Sequence, residues 1–260
     1  MMQNPPTLTV VIVAKNEARN IAECVASVSF ADEIIVLDSG STDATAELAR
    51  AAGARVVTTD WPGYGPQVAR GFSLATGEWV LSLDADERVT PSLAREVKAA
   101  IASGAHAGYR IPRLSEFIGQ FIHHSGWRPD FTLRLGRRQV SGFTDHFLHA
   151  HMTVEGSVGE LGTPLIHFSY PDLHDVLEKL DRYSTGHARD MHARGKTGGL
   201  GKAISHAVFA FLRTYVLRLG ILDGQRGLML AIYNAEYTYY KYVKLMFLAT
   251  PPVRPKLPQL

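Results

Sequence analysis

Stretches with the character of β-strands alternate with helical stretches through the first 113 residues of the chain. The strands are apolar and rich in β-branched residues, which is typical of parallel strands buried on both faces. Glycine and proline mark the ends of the helices; Pro91, for example, suits a first helical turn, and Gly104 ends that helix. The alternation predicts an α/β fold with a mostly parallel sheet flanked by helices. The predicted strands are residues 8–14, 34–37, 55–58, 78–84 and 109–111.

The regular alternation ends near residue 113, which suggests that the chain is divided into segments. An irregular stretch rich in His, Arg, Gly and aromatic residues comes next, followed by a predicted helix over 173–191. Two apolar helices are predicted at 202–219 and 227–248, and a proline-rich tail follows them. We therefore expect four segments: residues 1–115, 116–195, 196–250 and 251–260.

The composition excludes several classes of protein. The formal net charge of +2 gives no support to a polyanionic partner, so nucleic-acid binding is not expected. The single cysteine, Cys24, excludes an internal disulfide, and its place in an apolar helix indicates an inert buried thiol. We expect no signal peptide, and no apolar run reaches the roughly 18 residues of a spanning helix. A length of 260 residues suits one sizeable domain, alone or with an appendage.

Two carboxylates, Asp84 and Asp86, stand one residue apart at the end of the fourth predicted strand. Extended backbone directs residues i and i+2 to the same side, so both would converge at the carboxyl end of that strand. Open α/β sheets bind ligands at this edge, and a hard divalent cation shared with a diphosphate suits such a pair. A chance Asp-x-Asp in a surface turn is the simpler alternative. Glu17 and Asp38 follow the first and second strands and add acidic turns at the same edge, which favours a ligand site.

Four ordered motifs resemble the signatures of family 2 glycosyltransferases, and they lie between residues 8 and 115. That family uses the GT-A fold, a nucleotide-sugar donor and a transfer with inversion at the anomeric carbon. The resemblance implies these properties for this chain. The motifs are Val11-Ile12-Val13-Ala14-Lys15-Asn16-Glu17, Val36-Leu37-Asp38-Ser39-Gly40-Ser41-Thr42-Asp43, Ala69-Arg70-Gly71 and Leu83-Asp84-Ala85-Asp86-Glu87.

The resemblance also implies a role for each matching residue. Asp38 would bond the uracil ring, and Glu17 would lie against the base or the ribose. Arg70 would lie near the nucleotide or its diphosphate. Asp84 would face the ribose and the metal, and Asp86 would bind the metal, Mg²⁺ or Mn²⁺, directly.

Stretches beyond residue 115 resemble a narrower group, the bacterial lipopolysaccharide-core β-glucosyltransferases. This resemblance implies transfer of glucose from a UDP-sugar donor, UDP-glucose, to a lipid-linked saccharide such as the lipopolysaccharide inner core. The protein would act in the cytoplasm, peripherally on the inner face of the cytoplasmic membrane. Residues 1–115 would bind the nucleotide sugar, and residues 116–195 would bind the acceptor and supply the catalytic base. The matching stretches include Gly126-Trp127-Arg128-Pro129-Asp130, Leu133-Arg134-Leu135 and Leu165-Ile166-His167.

Asp130 is the candidate catalytic base, because it follows a turn-like segment that can present a carboxylate to the acceptor hydroxyl. The alternative is an ion pair between Asp130 and Arg128 or Arg134. Relatives carry a His-Glu pair where this chain has His149-Ala150, so position 150 cannot supply a base here. The candidate acceptor contacts are Trp127, Arg134 and His149.

Two clusters of basic residues leave alternatives open. The spacing of His146, His149 and His151 fits no familiar zinc site, which favours hydrogen-bonded or acceptor-contacting histidines. The three arginines within residues 134–138 suit an acceptor phosphate or an acidic sugar, or they form a solvated face.

The helices of residues 196–250 combine apolar faces with basic residues and tyrosines. Helical spacing places Lys202, His206 and Arg213 on one side, while apolar residues such as Ile204 cover the other. This pattern favours contact with a membrane surface. Packing on the sheet domain, or on another subunit of a homo-oligomer, gives the same pattern.

Two other functions remain as alternatives. One is a different nucleotide-binding α/β enzyme, although Lys15-Asn16-Glu17 stands where a dehydrogenase has Gly-x-Gly-x-x-Gly. The other is a catalytically silent, membrane-associated binding protein with the same fold, which Ala150 would suit.

Overall fold

The structure is a computed structural model that describes residues 6–143 and 151–250. The chain forms two compact units. The described residues of 1–115 and 129–168 make up the sheet unit, and those of 116–128 and 169–260 make up the helical unit. The segment expected over residues 116–195 is therefore divided between the two units.

Four parallel strands form one half of the sheet: β1 (Leu8–Ala14), β2 (Glu33–Asp38), β3 (Arg55–Thr58) and β4 (Trp79–Asp84). Their order is β3-β2-β1-β4. Alternate residues of β1 face opposite sides, so that Val10 and Ile12 join one core cluster and Val11 and Val13 join the other. Because every residue of β1 is buried, its sequence is a continuous apolar run rather than an alternating one.

The other half of the sheet departs from the parallel order. Strand β8 (Phe131–Arg137) is antiparallel to both β4 and β6 (Gly108–Phe117), and β5 (Glu87–Arg88) is antiparallel to β12 (Leu165–Tyr170). An antiparallel partner needs no helical crossover, so the regular helix–strand alternation ends where this half begins. The predicted α/β sheet flanked by helices, as in the GT-A fold, is confirmed, and the sheet as a whole is mixed. The remaining strands, in chain order, are β7 (Gln120–Phe121), β9 (Ser141–Phe143), β10 (Met152–Val154) and β11 (Val158–Glu160).

Helices cover both faces of the sheet. One core cluster contains residues of three helices, and the opposite cluster contains residues of the fourth, including Val68 and Phe72. Helix α4 (Pro91–Ser103) begins at Pro91 and ends before Gly104, as its sequence predicts. The Thr90 side chain accepts a hydrogen bond from the Leu93 amide, and Gly104 adopts a left-handed φ of 58°. The helices are α1 (Ile21–Ser27), α2 (Thr45–Ala51) and α4 (Pro91–Ser103) on one face, and α3 (Tyr64–Leu74) on the other.

The helical unit contains the three helices predicted after residue 170: α5 (Leu173–Ala193), α6 (Leu200–Leu212) and α7 (Gly224–Ala249). A π-helical turn (Arg213–Leu217) and a 3-10 turn (Gly220–Asp223) join α6 to α7. A close approach precedes α6, where a β-carbon on Gly198 would lie 2.3 Å from the Met246 amide nitrogen. The core of this unit consists of Phe117, Ile122, Val176, Leu180, Leu230 and Tyr233.

No individual helix in the described part of the chain has both the length and the apolarity needed to cross a membrane. Leu200–Leu217 and Gly220–Ala249 meet those criteria only as a pair, and this pair is bent by 72°.

Candidate active site

The carboxyl edge of the parallel strands brings together two of the predicted site residues. Strand β1 pairs with β2 through Ala14 and Asp38, and with β4 through Val13 and Asp84. Asp38 and Asp84 therefore end the strands on either side of β1, at the same edge of the sheet. The Asp38 side chain is buried, and its carboxylate oxygens lie 3.3 and 3.4 Å from the Ser41 amide nitrogen, which donates to them.

The loops after β1 and β2 are linked by hydrogen bonds and place Glu17 at this edge. The Thr42 amide donates to the Asn16 side-chain oxygen at 2.8 Å, and the Glu17 amide donates to the Thr45 hydroxyl at 2.7 Å. Asn16 has a left-handed φ of 55°, a conformation that asparagine tolerates better than most residues. The half-buried Glu17 accepts a hydrogen bond of 2.7 Å from the Asn20 side chain. These contacts fix the positions of the two acidic turns relative to each other.

Asp84 belongs to a buried ion-pair network. Its Oδ1 atom accepts a hydrogen bond of 2.8 Å from the Tyr64 hydroxyl, and its Oδ2 atom accepts one of 2.6 Å from Arg134 Nη2. The same Arg134 nitrogen lies 2.8 Å from Glu87 Oε1, and Glu87 is fully buried. Arg134 is itself buried, with 7% of its surface exposed. Arg134 therefore holds Asp84 and Glu87, and it has little exposed surface for the acceptor contact expected from the sequence.

The network shifts the pKa values of both its carboxyl groups. Burial by itself would raise the pKa of Asp84. The charge of Arg134, together with the hydrogen bonds from Arg134 and Tyr64, outweighs that effect and holds the pKa below its usual value. Burial raises the pKa of Glu87, and the charge of Arg134 opposes this only in part. Asp84, whose side chain is partly open to solvent, is therefore held ionised at the edge of the sheet.

Asp86 has a different set of contacts from Asp84. Strand β4 ends at Asp84 and the chain turns there, so the extended geometry expected for the pair does not continue to Asp86. Its Oδ2 atom lies 3.4 Å from Nε2 of His167, which β12 brings alongside through its antiparallel pairing with β5. The other ring nitrogen of His167 lies 3.1 Å from the Ser115 hydroxyl. Sequence reasoning gave His167 no role, although it stands in the matching stretch Leu165-Ile166-His167.

Asp130 forms an ion pair with an arginine that the sequence did not indicate. Both Nε and Nη2 of Arg113 contact Oδ2 of Asp130, at 2.8 and 2.7 Å, so Oδ1 lies outside this fork. The Asp130 side chain is 40% exposed. Arg113 Nη1 also lies 3.8 Å from Glu87 Oε1. The arginines considered from the sequence were Arg128 and Arg134, and the one in contact is Arg113.

Arg70 lies on α3, which is hydrogen-bonded to the same edge of the sheet. Its Nη1 atom lies 2.8 Å from Asp60 and 3.0 Å from the Gln67 side-chain oxygen. Gln67 is buried and donates to the Ser39 hydroxyl, directly after β2. About a third of the Arg70 side chain, 34%, is exposed. Arg70 therefore lies beside the carboxyl end of β2 with part of its surface available to a ligand.

The remaining predicted residues lie elsewhere or outside the described part. Trp127 belongs to the helical unit, where it packs edge-on against Phe117 at 5.9 Å between ring centroids. His146, His149 and Ala150 lie outside the described residues. The described part of the chain contains no cluster of three or more His, Cys, Asp or Glu residues that could hold a metal ion.

The family model for glycosyl transferase family 2 matches residues 9–155 of the chain. The lipopolysaccharide core biosynthesis glycosyltransferase LpsC of Rhizobium meliloti is 31% identical, over 92% of this chain and 91% of that protein. An uncharacterized glycosyltransferase of Rickettsia conorii is 27% identical, over 90% of this chain and 88% of that protein.

Part of the chain is also similar to glucosyl-3-phosphoglycerate synthase of Mycobacterium tuberculosis, which is 39% identical over 93 residues, or 31% of this chain and 29% of that protein. A crystal structure of the synthase of the same species contains Mn²⁺, UDP and glucosyl-3-phosphoglycerate. It superposes with a TM-score of 0.37 at 30% identity, over 43% of this chain and 44% of that chain.

Proposed function

The chain belongs to glycosyl transferase family 2 and is a glycosyltransferase, and from this premise we propose that it transfers glucose from UDP-glucose to a lipid-linked saccharide. The observation that carries the proposal is the position of Asp38 and Asp84 on either side of β1, at one edge of the sheet. Ligands of open α/β sheets bind at this edge. The other members of the proposed donor site are Glu17 and Arg70.

The donor side of the proposal assigns the base and the diphosphate to different residues. Asp38 and Glu17 supply carboxylates that can accept hydrogen bonds from a uracil ring or a ribose. Arg70 supplies a charge that can pair with a diphosphate. Glucosyl-3-phosphoglycerate synthase, a relative over 93 residues, is crystallised with UDP, which supports UDP as the first nucleotide to test.

A divalent cation, Mg²⁺ or Mn²⁺, would be held by Asp86 and His167. The donor set fits, because a carboxylate oxygen and an imidazole nitrogen lie 3.4 Å apart and the Ser115 contact orients the ring. Both Asp84 oxygens already have protein partners, so Asp84 would support the site from beside it. Once bound, the cation would offset the charge that develops on the departing diphosphate.

Asp130 is our proposed catalytic base. It would take the proton of the acceptor hydroxyl as that oxygen bonds to the anomeric carbon and the bond from this carbon to UDP breaks. Attack from the face opposite UDP inverts the anomeric carbon. The Arg113 fork fixes Oδ2, and Oδ1 lies outside that fork on a side chain that is 40% exposed. The geometry thus leaves one carboxylate oxygen of Asp130 available to a substrate.

The acceptor in our proposal is the lipopolysaccharide inner core, reached at the inner face of the cytoplasmic membrane. The support is similarity to LpsC, named for lipopolysaccharide core biosynthesis, over 92% of this chain. Trp127 and His149 stay proposed acceptor contacts.

A donor screen tests the proposal. UDP release is measured from a panel of nucleotide sugars, with and without Mn²⁺ and with a lipopolysaccharide core acceptor, and UDP-glucose should give the largest response. Asp86→Asn should abolish transfer while the protein stays folded. The matched control is Glu78→Gln, which removes a carboxylate just before β4, at the opposite end of that strand, and should leave transfer unchanged. Calorimetry that detects tight NAD binding and no UDP binding would contradict the proposal.

A further inference from the structure

The connection between α6 and α7 exposes a set of large apolar side chains. We call it the hairpin tip. Each of its members has about half or more of its surface in contact with solvent, and an exposed apolar patch of this kind indicates an interaction surface. The hairpin tip consists of Leu212 (48% exposed), Val216 (53%), Leu217 (69%), Leu219 (51%), Ile221 (57%) and Leu222 (63%).

Helix α6 extends this apolar surface. One side of the helix packs on α7, and apolar side chains on another side stay exposed. The residues that α6 and the following turn bury are small, Ala203 and Thr214. Ile204 and Val208, by contrast, are 52% and 55% exposed. Ile204 and Val208 are not part of the core of the helical unit. The apolar side of α6 is therefore not covered within the helical unit.

Leu219 is an unusual residue for the backbone position that it occupies. Its φ is +57°, in the left-handed region, which disfavours residues with a β-carbon and favours glycine or asparagine. The side chain is also 51% exposed, so burial does not compensate for the backbone conformation. Neither local geometry nor packing explains a leucine here, whereas a surface role of the hairpin tip does.

The charges around the hairpin tip have one sign. Residues 196–222 contain Lys196, Lys202, Arg213 and Arg218 and no Asp or Glu. The first acidic residue after them, Asp223, is buried and accepts a hydrogen bond of 2.7 Å from the Ser125 hydroxyl. A second copy of the chain would bring two surfaces of like charge together in a symmetric pair. An apolar surface bordered by cations is complementary to a bilayer that carries anionic headgroups.

We propose that the hairpin tip and the exposed side of α6 dock into the headgroup region of a bilayer that contains anionic lipids. The apolar side chains enter the boundary between headgroups and acyl chains, and the bordering Lys and Arg residues pair with the phosphates. The inference deepens the membrane location given in the proposed function, because it names the surface that binds the bilayer, and it does not depend on which sugar is transferred.

Flotation of the full chain with vesicles tests this inference. The two vesicle types are phosphatidylcholine alone and phosphatidylcholine with about 30% phosphatidylglycerol. The protein should float with the anionic vesicles, and added salt should weaken its binding. The variant Leu217→Ser/Ile221→Ser/Leu222→Ser should bind at least about tenfold more weakly. Lys202→Glu/Arg213→Glu should remove the preference for anionic vesicles.

Two matched controls keep the test specific. Leu173→Ser/Leu177→Ser removes apolar side chains that are 56% and 53% exposed on α5, and it should float like the wild type. Calorimetry with UDP should be unchanged in every variant, which separates this inference from the proposed function. Wild-type protein that floats with neither vesicle type would overturn the inference. So would light scattering that detects a dimer in the wild type and a monomer in the triple variant.

Discussion

Replacement of Arg134 by methionine tests the buried network directly, because Arg134 is the cation between two carboxylates. Its Nη2 atom lies 2.6 Å from Asp84 Oδ2 and 2.8 Å from Glu87 Oε1. Methionine retains an unbranched apolar side chain and removes the charge and the donors. The variant leaves Glu87, which is fully buried, beside Asp84 without the intervening cation.

The magnitude of the loss depends on the partners that remain. Removal of one member of a buried ion pair destabilises a protein by about 3–5 kcal/mol. Two features place this variant near the lower end: the Asp84 side chain is 29% exposed and partly solvated, and Arg113 Nη1 remains 3.8 Å from Glu87. We expect the free energy of unfolding of the sheet unit to fall by about 3 kcal/mol.

Native-state hydrogen exchange of the β1 and β4 amides measures the opening of the sheet unit itself. In Arg134→Met/Glu87→Gln the buried charge of Glu87 is also gone, so much of the loss should be recovered, with a coupling free energy of about 2 kcal/mol. Arg134→Lys should fall between wild type and Arg134→Met, because lysine keeps the charge and lacks the planar fork. A loss below about 1 kcal/mol in Arg134→Met, or strict additivity in the double variant, would refute the reasoning.

Three further substitutions probe the base, the cation site and the helical unit. Asp130→Asn should lower kcat by about 100-fold or more with UDP affinity unchanged in calorimetry, because a base acts on the acceptor and not on the nucleotide. His167→Ala should weaken Mn²⁺ binding in the presence of UDP by about tenfold or more, measured by calorimetry, with His174→Ala on α5 as the control. Gly198→Ala should destabilise the helical unit by about 2 kcal/mol or more in urea unfolding, because its β-carbon would lie 2.3 Å from a backbone nitrogen of α7. Gly201→Ala has open space around the added methyl group and should be neutral or stabilising by up to about 1 kcal/mol.

The parallel half of the sheet was predictable because its central strands are buried on both faces. That environment selects continuous apolar runs, and such runs are visible in the sequence at β1 and β4. Once the strands are parallel, their carboxyl ends share an edge, so the common position of Asp38 and Asp84 follows from topology.

The antiparallel half was less predictable because its partners are distant in sequence. Arg134, Arg137 and Arg138 form one basic cluster in the sequence, yet they have separate partners in the structure. Arg134 is buried between Asp84 and Glu87, whereas Arg137 pairs with the exposed Glu78 at 2.7 Å. Arg138 donates to the Gly77 carbonyl oxygen at 2.9 Å. Pairing of β8 with β4 separates these neighbours, and no local pattern encodes that pairing.

Glu87 connects the proposed donor side of the site with the proposed base. Its Oε1 atom lies 2.8 Å from Arg134, which holds Asp84, and 3.8 Å from Arg113, which holds Asp130. The charges therefore alternate along a series of contacts from Asp84 to Asp130, with one fully buried carboxylate at the centre. Because both arginines lie against the same group, we expect a change at Glu87 to affect the positions of Asp84 and Asp130 together. The network thus links the residues proposed for donor binding and for proton transfer within the sheet unit.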